Sequence, residues 1–386
     1  MSLIRVGKVV LNRLIENGYE AYFVGGMVRD RLLGRDIYDI DITTSAKPDV
    51  VIGLFEKTIQ TGIKHGTVTV MIEGIPVEVT TFRVEEAYED FRRPSEVRFT
   101  SSLIEDLKRR DFTMNAIAES IDGTLEDPFH GLKDLSNRQI KAVGEAKERF
   151  IEDPLRMLRG LRFMSKLSFE LEDETSKAIG EVGALIEHIS KERIKKEIEG
   201  MVSGEFSLKA FNLLIHTPLC DSITYFKELK RYSSSNLARL EEGVELFALI
   251  GLTVEEMEDY LKAWPFSNVE KRMIKAIREC YDKQLPPQYI QYKYKEDLAL
   301  HYHRIQNVLK QSVEKFELRE LPITDRKELA IEVADIIQWI NHPKGPWLSQ
   351  LLEALEFEVV MGTLENEVVS LRNYIQQLGE GYEIKK

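Results

Sequence analysis

Two aspartates separated by one residue are the side chains of this sequence best suited to chemistry. Ile37, Ile40 and Ile42 surround Asp39 and Asp41, a pattern that predicts a largely half-buried strand. Residues two apart on a strand face the same side, so we expect Cα atoms about 6–7 Å apart. Carboxylates this close repel each other unless a cation lies between them, and Mg²⁺ prefers such oxygen ligands. The spacing predicts a Mg²⁺ site, although a solvated strand edge also explains an isolated D-x-D.

A glycine pair upstream predicts a turn that can hold phosphate. Residues 21–24 form a short β-prone run, and Gly25 and Gly26 end it where backbone without side chains can approach a ligand closely. The next segment, 27–33, has helical spacing and carries Arg29. A helix that begins after two glycines directs free N–H groups at an anion.

A predicted hairpin follows at residues 63–83, with its turn at Glu73-Gly74. Glu78 lies between two valines of the second strand and points away from their apolar face. On a strand next to the Asp39 segment it could complete an acidic triad. A solvent-facing glutamate in an exposed hairpin explains the spacing equally well.

The polar segment 84–99, interrupted by Pro94, predicts a loop. Aromatic rings beside guanidinium groups can stack on bases or phosphates, although a mobile surface loop is the alternative. These side chains are Tyr88, Phe91, Arg92 and Arg93.

Two further segments combine arginine with carboxylate. Residues 107–118 predict the start of a helix whose polar face could bind ribose and phosphate, although a capped helix with solvated charges is the interpretation that spacing alone favours. Its polar residues are Arg109, Arg110, Asp111 and Asn115. Residues 150–169 predict a helix opened by Glu152 and Asp153, with leucines at 155, 158 and 161 as its buried stripe. Its arginines on other faces are Arg156, Arg159 and Arg162.

Composition limits the functional classes. The 386 residues can form two to four domains, and the net charge of -12 opposes a nucleic-acid partner. Residues 133–166 nevertheless hold nine basic against five acidic side chains, a local excess of four positive charges that an RNA could contact. Without a signal peptide or a long apolar run, we expect a soluble cytoplasmic protein with no membrane partner. Cys220 and Cys280 are too few for a zinc or disulfide framework.

Residues 23–44 resemble the signature of nucleotidyltransferases of the DNA polymerase β type, in their bacterial CCA-adding and poly(A) polymerase branch. The resemblance continues through RRDFTMNA at 109–116, E-D-x-x-R at 152–156 and ER-x-x-x-E at 192–197. It implies that Asp39, Asp41 and a third acid near Glu78 are catalytic. The residues that it implies for nucleotide binding are Gly25, Gly26, Arg29, Asp30, Arg110, Asp111, Asn115, Asp153, Arg156, Arg159 and Arg162.

The resemblance also assigns specific tasks. Asp153 and Arg156 would read the Watson–Crick edge of the incoming base, because a carboxylate accepts from the exocyclic amine that C and A share. The segment around residues 85–99 would support the switch from C to A addition. Residues 192–197 would brace the reading helix.

The predicted architecture is α+β, with a mixed-sheet head at 1–145, a helical neck at 146–205, a body at 206–290 and a tRNA-binding tail at 291–386. The expected activity is Mg²⁺-assisted addition of CCA to tRNA from CTP and ATP. A poly(A) polymerase, a partial adder and an inactive RNA-binding module remain alternatives. The sequence leaves open whether the chain forms a homodimer.

Overall fold

The computed structural model describes residues 3–89, 93–340 and 344–381. The chain forms two compact units, Met1–Gly243 and Val244–Lys386. The finer boundaries near residues 145, 205 and 290 stay predictions.

The first unit contains the strands. They are Ala21–Val24 (β1), Asp41–Thr44 (β2), Thr58–Gly62 (β3), Thr67–Ile72 (β4), Ile75–Thr81 (β5), Arg83–Glu89 (β6), Arg93–Phe99 (β7), Ala118–Glu119 (β8), Leu125–Glu126 (β9), Gln139–Ile140 (β10) and Glu170–Leu171 (β11). Within the described residues, seven of them form one sheet in the order β3-β4-β5-β2-β1-β8-β9. The sheet is mixed, because β2 and β5 are parallel, whereas every other pair of neighbouring strands in this sheet is antiparallel. This confirms the predicted α+β class.

The centre of the sheet agrees with the sequence prediction. Strand β1 ends at Val24, directly before the glycine pair. Strands β4 and β5 form the predicted hairpin, and Glu73 and Gly74 at its turn both have positive φ values of 51° and 83°. Such angles match the twist of a two-residue hairpin turn. Strand β5 lies beside β2, and the register places Glu78 opposite Asp41.

The acidic strand is shorter than predicted, and this corrects the expected geometry of the pair. Strand β2 begins at Asp41, so Asp39 lies in the irregular connection before it. The reason is the register: β1 pairs only with residues 42–44 of β2, and Ile40 contributes one carbonyl, which accepts from Glu78 N at 2.9 Å.

The predicted loop at 84–99 is wrong, because β6 and β7 pair there as an antiparallel hairpin. The register places Pro94 opposite Tyr88. Each strand of a two-stranded ribbon has an unpaired edge, and proline is tolerated on an edge because its missing N–H breaks no ladder bond. Tyr88 and Arg93 therefore lie in strands, whereas Phe91 and Arg92 lie outside the described residues.

The predicted helix start at 107–118 is also wrong. A short helix ends at Lys108, Phe112 is extended, and residues 113–115 form a 3-10 turn. Phe112 is fully buried and packs edge-on against Phe163 with ring centroids 5.8 Å apart, so burial of its ring takes the chain out of a helix.

Helices cover the rest of the first unit. They are Leu3–Glu16 (α1), Gly26–Leu32 (α2), Pro48–Leu54 (α3), Leu103–Lys108 (α4), Gly131–Ser136 (α5), Ala146–Glu152 (α6), Leu155–Leu167 (α7), Asp173–Val182 (α8), Lys191–Val202 (α9), Ser207–His216 (α10), Pro218–Ser222 (α11) and Ser234–Leu237 (α12). Helix α7 buries Leu155, Leu158 and Leu161 as predicted and packs on α9 and α10. Gly160 allows α7 to approach Phe112, since a Cβ there would lie 3.3 Å from that ring.

The described part of the second unit is helical. Its helices are Gly243–Gly251 (α13, which begins at the boundary), Met257–Ala263 (α14), Asn268–Asp282 (α15), Pro287–Leu309 (α16), Val333–Ile340 (α17), Pro346–Val360 (α18) and Val368–Gly381 (α19). Ile336, Leu355, Val359 and Leu371 are among the side chains of its buried core. None of the helices described in either unit is long and apolar enough to cross a membrane.

Candidate active site

A cleft of about 460 Å³ in the first unit brings together the segments singled out in the sequence. It is lined by Gly25, Gly26, Arg29, Asp39, Asp41, Arg109, Arg110, Asp111, Asn115, Asp153, Arg156, Arg159, Arg162 and Phe163. All of these except Arg109 and Phe163 are predicted nucleotide or metal ligands. Six arginines face four aspartates there, so the cleft carries local positive charge although the protein is acidic.

The carboxylate of Asp41 is repelled by those of Glu78 and Asp39. Burial, together with the charges of Glu78 and Asp39, raises the pKa of Asp41 to about 6 against the opposing charge of Arg110. Asp39 and Glu78 are exposed, and Asp41 is half-buried. A carboxylate held in this way gains from a bound cation, and its oxygens are the donors that a hard divalent ion prefers.

The third acid that could complete the site, Glu78, lies on the strand next to Asp41. In residues 3–89, 93–340 and 344–381, no group of three or more His, Cys, Asp or Glu side chains is arranged to hold a metal ion. Glu78 faces Asp41 across the ladder. Its role as a third ligand stays a prediction.

Gly25 forms the floor of the cleft beside the pair. Its φ of 73° is a conformation that residues with a side chain rarely adopt. A Cβ at this position would lie 3.3 Å from Arg110 Nη1 and 3.4 Å from Asp41 Oδ2. Only glycine leaves the space between the Arg110 guanidinium and the Asp41 carboxylate open to a ligand.

Arg29 is bonded within the protein. Its Nε and Nη2 donate to the two oxygens of Asp30 at 2.9 Å each, and its Nη1 donates to Asn115 Oδ1 at 2.7 Å. The guanidinium is buried and lies 5.1 Å from the centre of the Phe163 ring. These contacts support a role in orienting Asn115, and direct nucleotide binding by Arg29 or Asp30 stays a prediction.

Asp111 is a buried carboxylate that stays ionised. It accepts from Asn115 Nδ2 at 2.9 Å, from its neighbour Phe112 N at 2.8 Å, and from Arg159 Nε at 2.8 Å. Burial alone would raise the pKa of Asp111, but Arg159 and Asn115 outweigh it and hold the pKa at about 2. The side chains of Asp111 and Asn115 thus lie side by side, as predicted, although the two residues do not belong to one helix.

Asp153 and Arg156 both line the cleft, and both are also bonded to the protein. Asp153 caps α7 by accepting from Leu155 N at 3.1 Å, and its second oxygen accepts from Arg193 Nη2 at 2.8 Å. Arg156 donates to Glu152 at 3.2 Å and to the Arg109 carbonyl at 2.9 Å. Asp153 therefore caps α7. The sequence predicts that Glu152 opens α7 as well, but it is the last residue of α6. These bonds hold the donor and acceptor of the proposed base reader in fixed positions.

Phe163 organises the arginines of α7, and the sequence analysis missed it. Its ring lies 5.6 Å from the Arg159 guanidinium and 4.9 Å from that of Arg162. Such contacts are attractive, because the ring face is electron-rich. Glu197 of α9 accepts from Arg162 Nε at 2.6 Å, which agrees with the predicted bracing of α7. The available signal was the position of Phe163 four residues after Arg159 on the same helix.

Family models match both units of the chain. Residues 21–141 match the poly A polymerase head domain, residues 168–231 a probable RNA- and SrmB-binding site of polymerase A, and residues 241–375 a putative domain 2 of tRNA nucleotidyltransferase. Over 95% of its length the chain is 40% identical to the CCA-adding enzyme of Bacillus cytotoxicus, of which it covers 97%. The chain belongs to the CCA-adding enzyme family.

Other relatives agree with this assignment. The CCA-adding enzyme of Listeria innocua is 41% identical over 95% of this chain and 96% of its own length. A crystal structure of the Bacillus stearothermophilus CCA-adding enzyme in complex with CTP superimposes with a TM-score of 0.79 at 35% identity, covering 99% of each chain. The chain is thus a nucleotidyltransferase, and the resemblance seen in its sequence is confirmed.

Proposed function

We propose that this chain adds C, C and A in turn to the 3′ end of tRNA, using CTP and ATP and no nucleic-acid template. The 3′ hydroxyl oxygen forms a bond to the α-phosphorus of the nucleotide. The bond from that phosphorus to the bridging oxygen breaks, pyrophosphate leaves, and the hydroxyl proton passes to solvent. The observation that carries the proposal is one cleft that combines an acidic pair, a glycine turn, arginines and a fixed Asp153–Arg156 pair.

Enzymes of this family depend on a metal ion. We propose Mg²⁺, held by Asp39 and Asp41, because the electrostatic strain on Asp41 and the all-oxygen donor set suit a hard cation. When bound, such an ion would activate the attacking hydroxyl and stabilise the charge that develops on the phosphates.

The remaining side chains of the cleft bind and orient the nucleotide. Backbone at Gly25 and Gly26 allows close approach, while Arg110, Arg159 and Arg162 supply positive charge for the triphosphate. Asp111 is ionised and held rigidly, which suits it to accept from a ribose hydroxyl.

Base selection is assigned to Asp153 and Arg156. Their side chains are anchored from one side by Arg193 and by the Arg109 carbonyl. A fixed acceptor beside a fixed donor favours bases with an exocyclic amine at the matching position, and C and A have one where U and G have a carbonyl.

The tRNA is the proposed second substrate. The local basic excess at 133–166 and the match of residues 168–231 to an RNA-binding family model support an RNA surface in the first unit. A cytoplasmic location stays a prediction, as does a tRNA-binding role of the C-terminal helices, and the question of a homodimer stays open.

The decisive experiment offers the purified protein, with Mg²⁺, three tRNAs that lack CCA, end in CC or carry the complete CCA. CTP alone should extend the first by two residues, ATP alone should extend the second by one, and the mature end should not grow. The matched control is Asp41→Asn, which keeps the shape of the side chain and should incorporate neither nucleotide.

Each alternative gives its own result in this assay. Long A tails on unrelated RNA would identify a poly(A) polymerase, and incorporation of only C or only A would identify a partial adder. Failure of the wild-type protein to incorporate either nucleotide while it binds tRNA would identify an inactive RNA-binding module.

A further inference from the structure

Asp106, in helix α4, is a fully buried carboxylate. One of its oxygens accepts from Arg109 Nε at 2.9 Å. The other accepts from Thr43 Oγ1 at 3.1 Å and from Arg110 Nη2 at 3.4 Å. It therefore connects the strand that carries Asp41 to two arginines of the cleft.

Arg110 has two carboxylates within reach. It forms its ion pair with Asp106. Its Nη1 donates to the Asn115 carbonyl at 3.3 Å and lines the same space as Asp41 Oδ2, since Nη1 and Oδ2 lie 3.3 and 3.4 Å from the point where a Cβ on Gly25 would stand. A buried guanidinium that loses one carboxylate moves towards the next, since an unpaired buried charge is strongly unfavourable.

We propose that Asp106 is a positioning residue that holds the Arg110 guanidinium away from Asp41, so that the acidic pair stays available to a divalent cation. The inference rests on the proposed function, because it assumes that Asp39 and Asp41 hold the ion. It concerns a residue that the sequence analysis did not single out.

Three features make Asp106 suited to this task. Its carboxylate has no freedom to turn away, because Thr43 on the same strand as Asp41 bonds one oxygen. Burial alone would raise the pKa of Asp106, but Arg109 and Arg110 outweigh burial and lower it, so the group stays charged. Arg109 engages the other oxygen, which leaves the Thr43-bonded oxygen for Arg110.

The test measures Mn²⁺ binding to the resting protein by electron paramagnetic resonance, without nucleotide or tRNA. We expect Asp106→Asn to raise the Kd for Mn²⁺ about tenfold. This is the order expected when the positive charge of Arg110 moves from about 10 Å to about 7 Å from a divalent ion at an effective dielectric constant of about 20.

A double-mutant cycle identifies the route of the effect. Arg110→Gln alone should tighten Mn²⁺ binding, because it removes a cation beside Asp41. In that background, Asp106→Asn should weaken binding less than about twofold, since the Arg110 guanidinium is no longer there to move towards Asp41. Equal weakening in both backgrounds would mean that Asp106 acts only through its charge, and would overturn the positioning role.

Glu197→Gln is the matched control. Glu197 is also a buried carboxylate that bonds cleft arginines, with Arg162 Nε at 2.6 Å and Arg159 Nη1 at 3.9 Å. Its loss should change the Kd for Mn²⁺ less than the loss of Asp106. An equal effect would contradict the proposal, because it would trace the change to net charge alone.

If Asp106→Asn does not fold, the Thr43 pair replaces it. Thr43→Val removes the hydroxyl that fixes Asp106 and should weaken Mn²⁺ binding about threefold, whereas Thr43→Ser keeps the hydroxyl and should bind like wild type. Indistinguishable affinities of Val and Ser variants would refute the proposal. Separately, Mn²⁺ binding that Asp41→Asn leaves unchanged would refute the metal pair itself, and the positioning role with it.

Discussion

Asp41→Asn should make the metal-free protein more stable while it abolishes nucleotide incorporation. The pKa of Asp41 is raised from 3.8 to about 6 by burial and by Glu78 and Asp39, so the ionised carboxylate destabilises the fold at pH 7. A shift of about 2 units corresponds to roughly 3 kcal/mol, and the partial exposure of the side chain reduces this to about 1–3 kcal/mol. Asparagine has the same shape and no charge.

The gain should depend on pH in a defined direction. Below about pH 4, Asp41 is protonated in both folded and unfolded chains, so wild type and variant should differ little. Between pH 4 and 6 only the unfolded chain loses the proton, so the advantage of the variant should grow. Above pH 6 the advantage should be constant. Added Mg²⁺ should stabilise wild type and leave the variant unchanged.

Hydrogen exchange of peptides from β1, β2 and β5 measures this stability within the first unit. The three tryptophans, Trp264, Trp339 and Trp347, all lie in the second unit, so their fluorescence provides an internal reference. The matched control is Asp36→Asn at an exposed position, which should alter exchange free energies by less than about 0.5 kcal/mol. Faster exchange of the Asp41→Asn protein at pH 7 in EDTA would refute the reasoning.

Three other predictions test the roles proposed for the acidic pair, for the base reader and for the β6–β7 hairpin. Asp39→Ala should reduce incorporation of CTP and ATP by at least about a hundredfold with tRNA binding retained in a filter assay, and near wild-type turnover would exclude Asp39 as a ligand. Asp153→Ala or Arg156→Ala should bring UTP and GTP incorporation closer to that of CTP and ATP; a lower rate with unchanged selectivity would leave only the capping role. Replacing residues 85–97 by a two-residue turn should preserve CC addition and remove A addition, and equal loss of both steps would contradict that assignment.

Local pattern was sufficient for several elements. The run before Gly25 is apolar and ends at two glycines, so β1 could be placed within a residue of its bounds. The hairpin of β4 and β5 follows from alternating valines on either side of Glu73-Gly74. The leucine stripe of α7 follows from helical periodicity alone. In these places neighbours in sequence supply most of the determining contacts.

The predictions failed where distant contacts override local preference. Charge and proline predicted a loop at 84–99, but ladder bonds between β6 and β7 compensate for both. The RRDFTMNA segment has helical spacing, yet packing of Phe112 against Phe163, 51 positions later, extends the chain there. The fully buried Asp106 carries no local signal, because its arginine partners reveal a function only once Asp41 is known to lie nearby.

By itself, the sequence determined the family, the α+β class and nearly all of the residues that line the cleft. It could do so because those residues occur in short motifs whose types and spacing are restricted by the chemistry of phosphate, metal and base recognition. Only the tertiary structure decided which side chains are already bonded to one another, such as Arg29 to Asp30 and Asn115. Burial and charge at each position depend on elements that are far apart in sequence, and these set the pKa of Asp41 and the partner of Arg110.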